Sequence, residues 1–460
     1  MGEPDKIKSM NKRVIVNAHE VFHSQGSGIK YFAKSLIQSV ACSQTELAIL
    51  VEVYSRDSHS LLADSNAFKV HPITHVGSLK RIAESLKIQG SLFLNPFGRH
   101  EIIHKISSRD PLYSLVLDSL NLAGGAPTMN SSESLKIYQQ YKIFSRAKSL
   151  FASKRRLSTL SLASPDRKEA DVIFHNPMPF PLVLKGAKNV VTIHDLIALT
   201  HPQFCLSDPG LEFELINQLV QVCDAVHSIS HFTAESLCRL FGSGLESKIH
   251  VIPQATPPST PFSDADSLQS VKQQVLSRFH ETGEGYIIQL GTIEPKKNHL
   301  VMLEAFHALR GIYPKLRLVV VGKPGWLCEE AVKVLASAST DGLEWKGSLP
   351  RQSLEHYLTN SLALVFPSVV EGWGLPPLEA MASGTPAIVS QIPACMEACG
   401  DAALYVRDYH NPIAWVDAVQ QMLLDSDFYL DKLEAGLQRA KQFQLSEFSS
   451  NLEKMYSFLA

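Results

Sequence analysis

The segment Glu371-Gly-Trp-Gly-Leu-Pro-Pro-Leu-Glu379 carries two carboxylates eight positions apart. It follows the apolar run LALVFP; its prolines suit the first turn of a helix and Gly384 suits a stop. Glu371 is therefore placed in a loop and Glu379 on a helix, so the two cannot share one helical face. Carboxylates accept hydrogen bonds from paired hydroxyls, as on a sugar ring or a ribose, and each is expected to touch a different part of an extended ligand. Gly374 and Leu375 stand where the helix opens, and its unpaired N–H groups and positive dipole make a seat for phosphate. Gly372 and Gly374 would let backbone approach a ligand closely. A glutamate met alone more often caps a loop or pairs with a neighbouring base; the surrounding string favours a ligand role here.

Other candidates carry weaker signals. His175 in FHNP and His194-Asp195 in TIHD each follow a strand-like run, where loop residues face a cleft. A histidine there can hydrogen-bond a sugar hydroxyl or a carbonyl without acting as a base. Most of the eighteen histidines must have structural or surface roles. Gly26-Ser27-Gly28 precedes an amphipathic helix, and alone it reads as a tight turn. Lys296-Lys297, met alone, reads as a solvated pair.

The elements that must hold these residues fall into two halves of alternating strand-like and helix-like segments. In the first, strands are expected at Arg13–Asn17, Leu47–Tyr54, Asp171–Phe174, Val190–Ile193 and Ala225–Ile229. A helix carries Ile29, Phe32, Ala33, Leu36, Ile37 and Val40 on one face. Residues 100–170 read as a helical, irregular elaboration. The proline-rich stretch IPQATPPSTPFSDADSL has linker composition, which gives a first domain over 10–255, a linker over 256–270 and a second domain over 271–440. In the second domain, strands are expected at Tyr286–Leu290, Leu316–Val321, Leu343–Trp345, Leu362–Phe366 and Ala387–Val389. Unbroken apolar strands alternating with helices imply parallel sheets covered on both faces, an α/β architecture. A last helix over 441–460 is expected to pack back on the first domain.

The chain has 460 residues, 45% hydrophobic and 19% charged, with a formal net charge of −2, so nothing points to nucleic acid. Seven cysteines without paired spacing fit reduced thiols. Cys395 and Cys399 could form half a metal site, but no second pair completes it. Asp264–Asp266 and Asp425–Asp427 lie in linker and helix-end contexts, unsuited to a metal-bound donor. No apolar run reaches the roughly 18 residues of a membrane span, and MGEPDKIKSM lacks a signal-peptide core. Residues 142–156, KIFSRAKSLFASKRR, mix basic and apolar side chains and could rest on anionic lipid, although an exposed basic helix explains them as well.

Taken together, EGxGLPxLEAMAxGxP at Glu371–Pro386, GTIEPKKN at Gly291–Asn298 and the run Leu343–Gly347 before a helix resemble the retaining glycosyltransferases of family four (group 1). The resemblance covers nearly all of 285–425 and, more loosely, the first half. It implies the GT-B fold, two Rossmann-like doubly wound parallel-sheet domains facing across a cleft. It further implies a hexose (mannose or glucose type) moved from a nucleoside-diphosphate sugar to a glycan, lipid-linked or other hydroxyl acceptor, with retention of configuration and without a metal or other cofactor. Carried over by residue, Glu379 would bind the ribose and Glu371 the transferred sugar. Lys297, with Lys296, would neutralise the diphosphate beside Gly291, Gly374 and Leu375, and Trp345 belongs to the base-contacting loop. Gly26, Ser27 and Gly28 would form the diphosphate and acceptor loop, and His194 and His175 the active-site histidines. Some relatives have arginine where this chain has Thr292, which shifts phosphate binding toward Lys297 and backbone N–H groups. Many relatives work at the inner face of the cytoplasmic membrane, so a cytoplasmic protein with peripheral membrane contact is implied. An epimerase on the same fold, a hydrolase and a silent nucleotide-sugar-binding protein are the competing readings.

Overall fold

The computed structural model describes residues 13–17, 28–42, 46–53, 100–106, 136–141, 143–162, 172–257, 265–337 and 342–459. They cluster into two compact units. The first is Met1–Thr192 with Phe213–His227 and Leu452–Ala460; the second is Ile193–Glu212 with Ser228–Asn451. Neither unit is a single stretch, and the proline-rich segment lies wholly within the second unit. Its described residues 252–257 carry no helix or strand, and the helix Ala265–Thr282 opens within its last residues.

In the first unit, β1 (Arg13–Asn17) is buried throughout and pairs in parallel with β2 (Glu46–Val53) and β6 (Val172–Asn176). The helix Gly28–Cys42 buries Phe32, Ala33, Leu36, Ile37 and Val40, the face its spacing predicts. Gly26 and Ser27 lie outside the described residues, and Gly28 begins this helix.

The helical elaboration expected over 100–170 is corrected. This stretch holds three strands, β3 (His100–Ile106), β4 (Lys136–Tyr141) and β5 (Ser158–Leu162), and among its described residues one helix, Ile143–Lys154. STLSL alternates polar and apolar residues, the period of a strand, but five to seven residues are too few to stand out among helix-length spacers. With β7 (Leu182–Leu184), β8 (Lys188–Ile193), β9 (Ala225–Ser228) and β10 (Ile249–Val251), the order is β10-β9-β8-β6-β1-β2-β4-β3-β5-β7, and β3 meets β4 antiparallel. Helix Ile143–Lys154 turns Ala147 and Phe151 into the core, while Lys148 and Lys154 are exposed. Apolar surface offered to lipid by 142–156 is reduced by that packing. Among the described residues no helix is long and apolar enough to cross a membrane.

The second unit contains a parallel sheet of β11 (Gly285–Leu290), β12 (Leu316–Val321), β13 (Leu343–Trp345), β14 (Leu364–Phe366), β15 (Ala387–Ser390) and β16 (Ala403–Val406). Their order is β13-β12-β11-β14-β15-β16. The apolar runs are buried because helices cover them: Met302, Phe306 and Leu309 of helix His299–Ile312 join Ile287, Leu318, Val365, Ile388 and Trp415 in one core. Helix Ala265–Thr282 is fastened by a fully buried lysine. The Lys272 ammonium donates to Leu358 O (3.2 Å), Ser361 O (2.8 Å) and Thr385 Oγ1 (2.7 Å), one acceptor for each of its protons. Burial pushes its pKa well down, and the three acceptors oppose that cost.

Candidate active site

The second sheet changes direction between β11 and β14: the chain leaves β11 toward β12 and β13, then returns on the other side at β14. Loops leaving two such neighbours diverge and open a crevice beyond the strand C-terminal ends. Gly291–Asn298 follows β11, and 367–374 follows β14. Sequence reasoning selected residues in both loops, and topology puts them side by side. Val369 N–H donates to Lys296 O (2.8 Å), which ties one loop to the other.

Lys297 Nζ forms an ion pair and hydrogen bond with Glu371 Oε1 and lies 4.9 Å from the centre of the Phe366 ring. Its aliphatic stem covers Gly291, whose φ of +143° suits glycine; a Cβ there would meet Lys297 Cε at 3.3 Å. Lys296 Nζ sits 3.6 Å from Glu371 Oε2 and 3.7 Å from Glu294 Oε1. Burial disfavours the Lys296 charge, but Glu371, Asp195 and Glu294 outweigh it and hold its pKa above the usual lysine range. Burial likewise raises Glu371, yet Lys296 and Lys297 hold that carboxyl below its ordinary value. Glu371 is thus an anion held by two cations.

The same cluster contains polar atoms with unused capacity. Glu294 Oε2, Gln289 Oε1, Trp373 Nε1 and His299 Nδ1 are buried without a hydrogen-bond partner among the described residues. Burial raises the Glu294 carboxyl despite Lys296 and Lys297. Burial pushes His299 down to about 4, so its ring is neutral near pH 7 and its Nε2–H donates to Thr292 O (3.3 Å). Buried groups without partners are costly, and these four would be satisfied by a polar ligand that reached them.

Glu379 has a different environment. It is largely but not fully buried on helix Leu375–Ala382, with Arg351 Nη1 3.6 Å from Oε1. Burial pushes its carboxyl up to about 7, with Arg351 opposing and Glu355 adding to the rise. The seat of N–H groups at this helix is narrower than expected. Pro376 and Pro377 have none, so Gly374 and Leu375 are the donors ahead of Leu378, whose N–H already bonds Gly374 O (3.3 Å). The glycines also have another role than expected. A Cβ on Gly372 would lie 2.1 Å from His194 O, and one on Gly374 3.0 Å from Ala398 Cβ. Both permit close approach of protein to protein.

That contact brings His194 and Asp195 to the Glu371 loop, within the second unit. Thr233 Oγ1 donates to His194 O (3.3 Å), and Asp195 Oδ1 accepts from Ile197 N–H (3.0 Å), so the turn is fastened at both ends. His175 belongs to the other unit. In the first unit it is fully buried, with Nδ1 2.7 Å from Tyr456 Oη and Nε2 2.8 Å from Thr192 Oγ1. Both ring nitrogens are occupied, the environment of a core histidine. The Trp345 indole N–H is spent on Gly322 O (2.8 Å), leaving its ring face for contact. Sequence reading overlooked Glu294, although it lies inside GTIEPKKN, and Arg351, which no motif marked.

Comparison with known proteins matches residues 273–441 to the family described as glycosyl transferases group 1 and residues 136–259 to glycosyltransferase family 4. The O-antigen chain mannosyltransferase B of Escherichia coli is 27% identical over 299 residues, 64% of this chain and 76% of that protein. Among solved structures, the sucrose-phosphate synthase of Thermosynechococcus elongatus aligns over 98% of this chain and 99% of its own, with a TM-score of 0.59 at 14% identity. Anabaena HepE, solved in complex with UDP and glucose, aligns over 97% of this chain and 100% of its own, with a TM-score of 0.58 at 10% identity. At these identities the structural likeness speaks to the fold, which is GT-B.

Proposed function

Because the chain belongs to the group 1, family 4 glycosyltransferases, we propose that it moves a mannose- or glucose-type hexose from a nucleoside-diphosphate sugar to a hydroxyl of a glycan or lipid-linked acceptor, with retention of configuration. The observation that carries this reading is the convergence of Lys296 and Lys297 on Glu371 at the crevice where β11 and β14 part. The name of the E. coli relative supports mannose and a polysaccharide acceptor, and the UDP and glucose in the HepE structure support a nucleotide-sugar donor.

In this reading the diphosphate takes Lys297 from Glu371, whose carboxylate then turns to hydroxyls of the hexose. Glu379 accepts from the ribose hydroxyls. The bond from the anomeric carbon to the phosphate oxygen breaks, and the acceptor oxygen bonds that carbon on the same face. The acceptor proton passes to the departing phosphate oxygen, and the nucleoside diphosphate leaves. Lys297, Lys296 and the N–H groups of Gly374 and Leu375 stabilise the charge on the leaving group, the task a metal performs elsewhere. In this reading His194, half-exposed and with its carbonyl against Gly372, hydrogen-bonds a sugar hydroxyl.

The test is incubation with GDP-mannose, UDP-glucose and UDP-N-acetylglucosamine, separately, with nucleoside diphosphate release followed by mass spectrometry. Release from one donor that persists in EDTA and gains with a glycan acceptor supports the proposal. No release and no thermal stabilisation by any donor would sink it.

A further inference from the structure

Arg351 was marked by no motif, yet it is the cation beside the carboxylate proposed to hold the donor ribose. It opens the helix Arg351–Thr359, directly after the loop that follows β13. Its guanidinium is shared between two carboxylates. Nε donates to Glu355 Oε1 at 2.8 Å, and Nη1 lies 3.6 Å from Glu379 Oε1. The contact to Glu355 has hydrogen-bond geometry; the contact to Glu379 is an ion pair beyond hydrogen-bond reach. The closer carboxylate therefore holds the arginine back from the functional one.

The surroundings of Glu379 leave its ionisation to that pair. Arg351 and Glu355 are the charged groups that act on it among the described residues. The helix Ser426–Lys441 packs against Glu379's own helix through Gly436 at Met381, and Pro393–Cys399 packs through Ala398 and Cys395 at Gly374; neither contact is charged. Ser383 Oγ donates to the Glu379 backbone carbonyl (3.0 Å), not to its carboxylate. An ionised carboxylate offers an oxygen to each hydroxyl of a ribose and accepts most strongly; protonated, it surrenders one accepting site to its own O–H.

We infer that the Arg351–Glu355 pair is a positioning device for Glu379, setting how far its carboxylate is ionised and thereby how tightly the donor's ribose is held. This rests on the donor-site reading above. The sign is fixed by the geometry. Arg351 favours the carboxylate and strengthens donor binding, whereas Glu355 opposes it by like charge and by drawing the arginine away. With Glu379 near 7, donor affinity is full above neutrality and falls by up to about tenfold for each pH unit below it.

The experiment is calorimetric titration of the full chain with GDP-mannose and, separately, UDP-glucose across about pH 5.5 to 8.5, where the sugar-linked diphosphate has no proton to gain or lose. Comparing variant with wild type cancels other titrating groups. Arg351→Met should move the midpoint of the affinity profile upward by about one pH unit or more, and Arg351→Lys should return it toward wild type. Glu355→Gln should move it downward and tighten binding at the acid end. A midpoint unchanged in Arg351→Met, or affinity lost equally at every pH, would show a contact or scaffold role and overturn the inference. Should Arg351→Met fail to fold, an unmoved or raised midpoint in Glu355→Gln would overturn it as well. Absence of binding by wild type at every pH would remove the donor reading together with this inference, whereas binding with unmoved midpoints removes the inference alone.

Discussion

At the residue scale, Glu371 and Glu379 belong to one motif but occupy opposite electrostatic situations. Glu371 is held ionised by two lysines, so replacing it frees them. Glu371→Gln is expected to bind bare nucleoside diphosphate at least as tightly as wild type, because Lys297 no longer has to leave a carboxylate. The same variant should transfer sugar about 100-fold more slowly, since hydroxyl positioning is lost. Calorimetry and product release measured side by side check the split. Glu379 carries the reverse cost. Its folded value near 7 lies above the ordinary 4.5, so the folded chain binds a proton that the unfolded chain has released between those values. Stability from this group is present at low pH and is lost as pH rises toward 7. Glu379→Gln should therefore raise the melting temperature at about pH 8, leave it near wild type at about pH 5, and weaken donor binding at the higher pH. A melting temperature lowered at both would contradict the burial argument.

At the element scale, the site depends on loops that must touch. Gly372→Ala puts a methyl group 2.1 Å from His194 O, against backbone that has no rotamer to yield. We expect loss of donor binding and a stability cost of about 2 kcal/mol or more, read by thermal denaturation. Lys272→Met tests the base of the same sheet. It leaves Leu358 O, Ser361 O and Thr385 Oγ1 without the ammonium that served them, for an expected loss of about 2–4 kcal/mol in denaturant unfolding. Legibility in the sequence followed the regularity of the strand-and-helix alternation more than element length. The strands expected at Leu316–Val321 and Leu343–Trp345 have those bounds: the first is a long, largely apolar run, and the second, only three residues, stands in a regular alternation of strands and helices. The three strands within 100–162 escaped because polar residues interrupt their apolar ones, and the four-residue β16 escaped with them. Lys297 and Glu371 were legible as site residues. Their pairing was not, because sequence reveals which residues lie in loops after β11 and β14 but not that these strands are neighbours. Arg351 was hidden for the same reason.

At the scale of the whole molecule, chain order and compact units disagree in ways that carry function. His194 and Asp195 follow a first-half strand yet belong to the second unit, whereas Leu452–Ala460 ends the chain inside the first. Tyr456 there closes on His175 at 2.7 Å. Tyr456→Phe should lower the first unit's unfolding transition by about 1–2 kcal/mol in calorimetry and leave the second unit's in place. The central claim is that the crevice between β11 and β14 holds a nucleoside-diphosphate sugar through Lys297. Titration of wild type and Lys297→Ala with GDP-mannose and UDP-glucose, above neutral pH, tests it most directly. The account predicts one site filled by at least one of these donors in wild type, weakened about 100-fold in the variant. Equal binding by both proteins, or none by wild type, would contradict it.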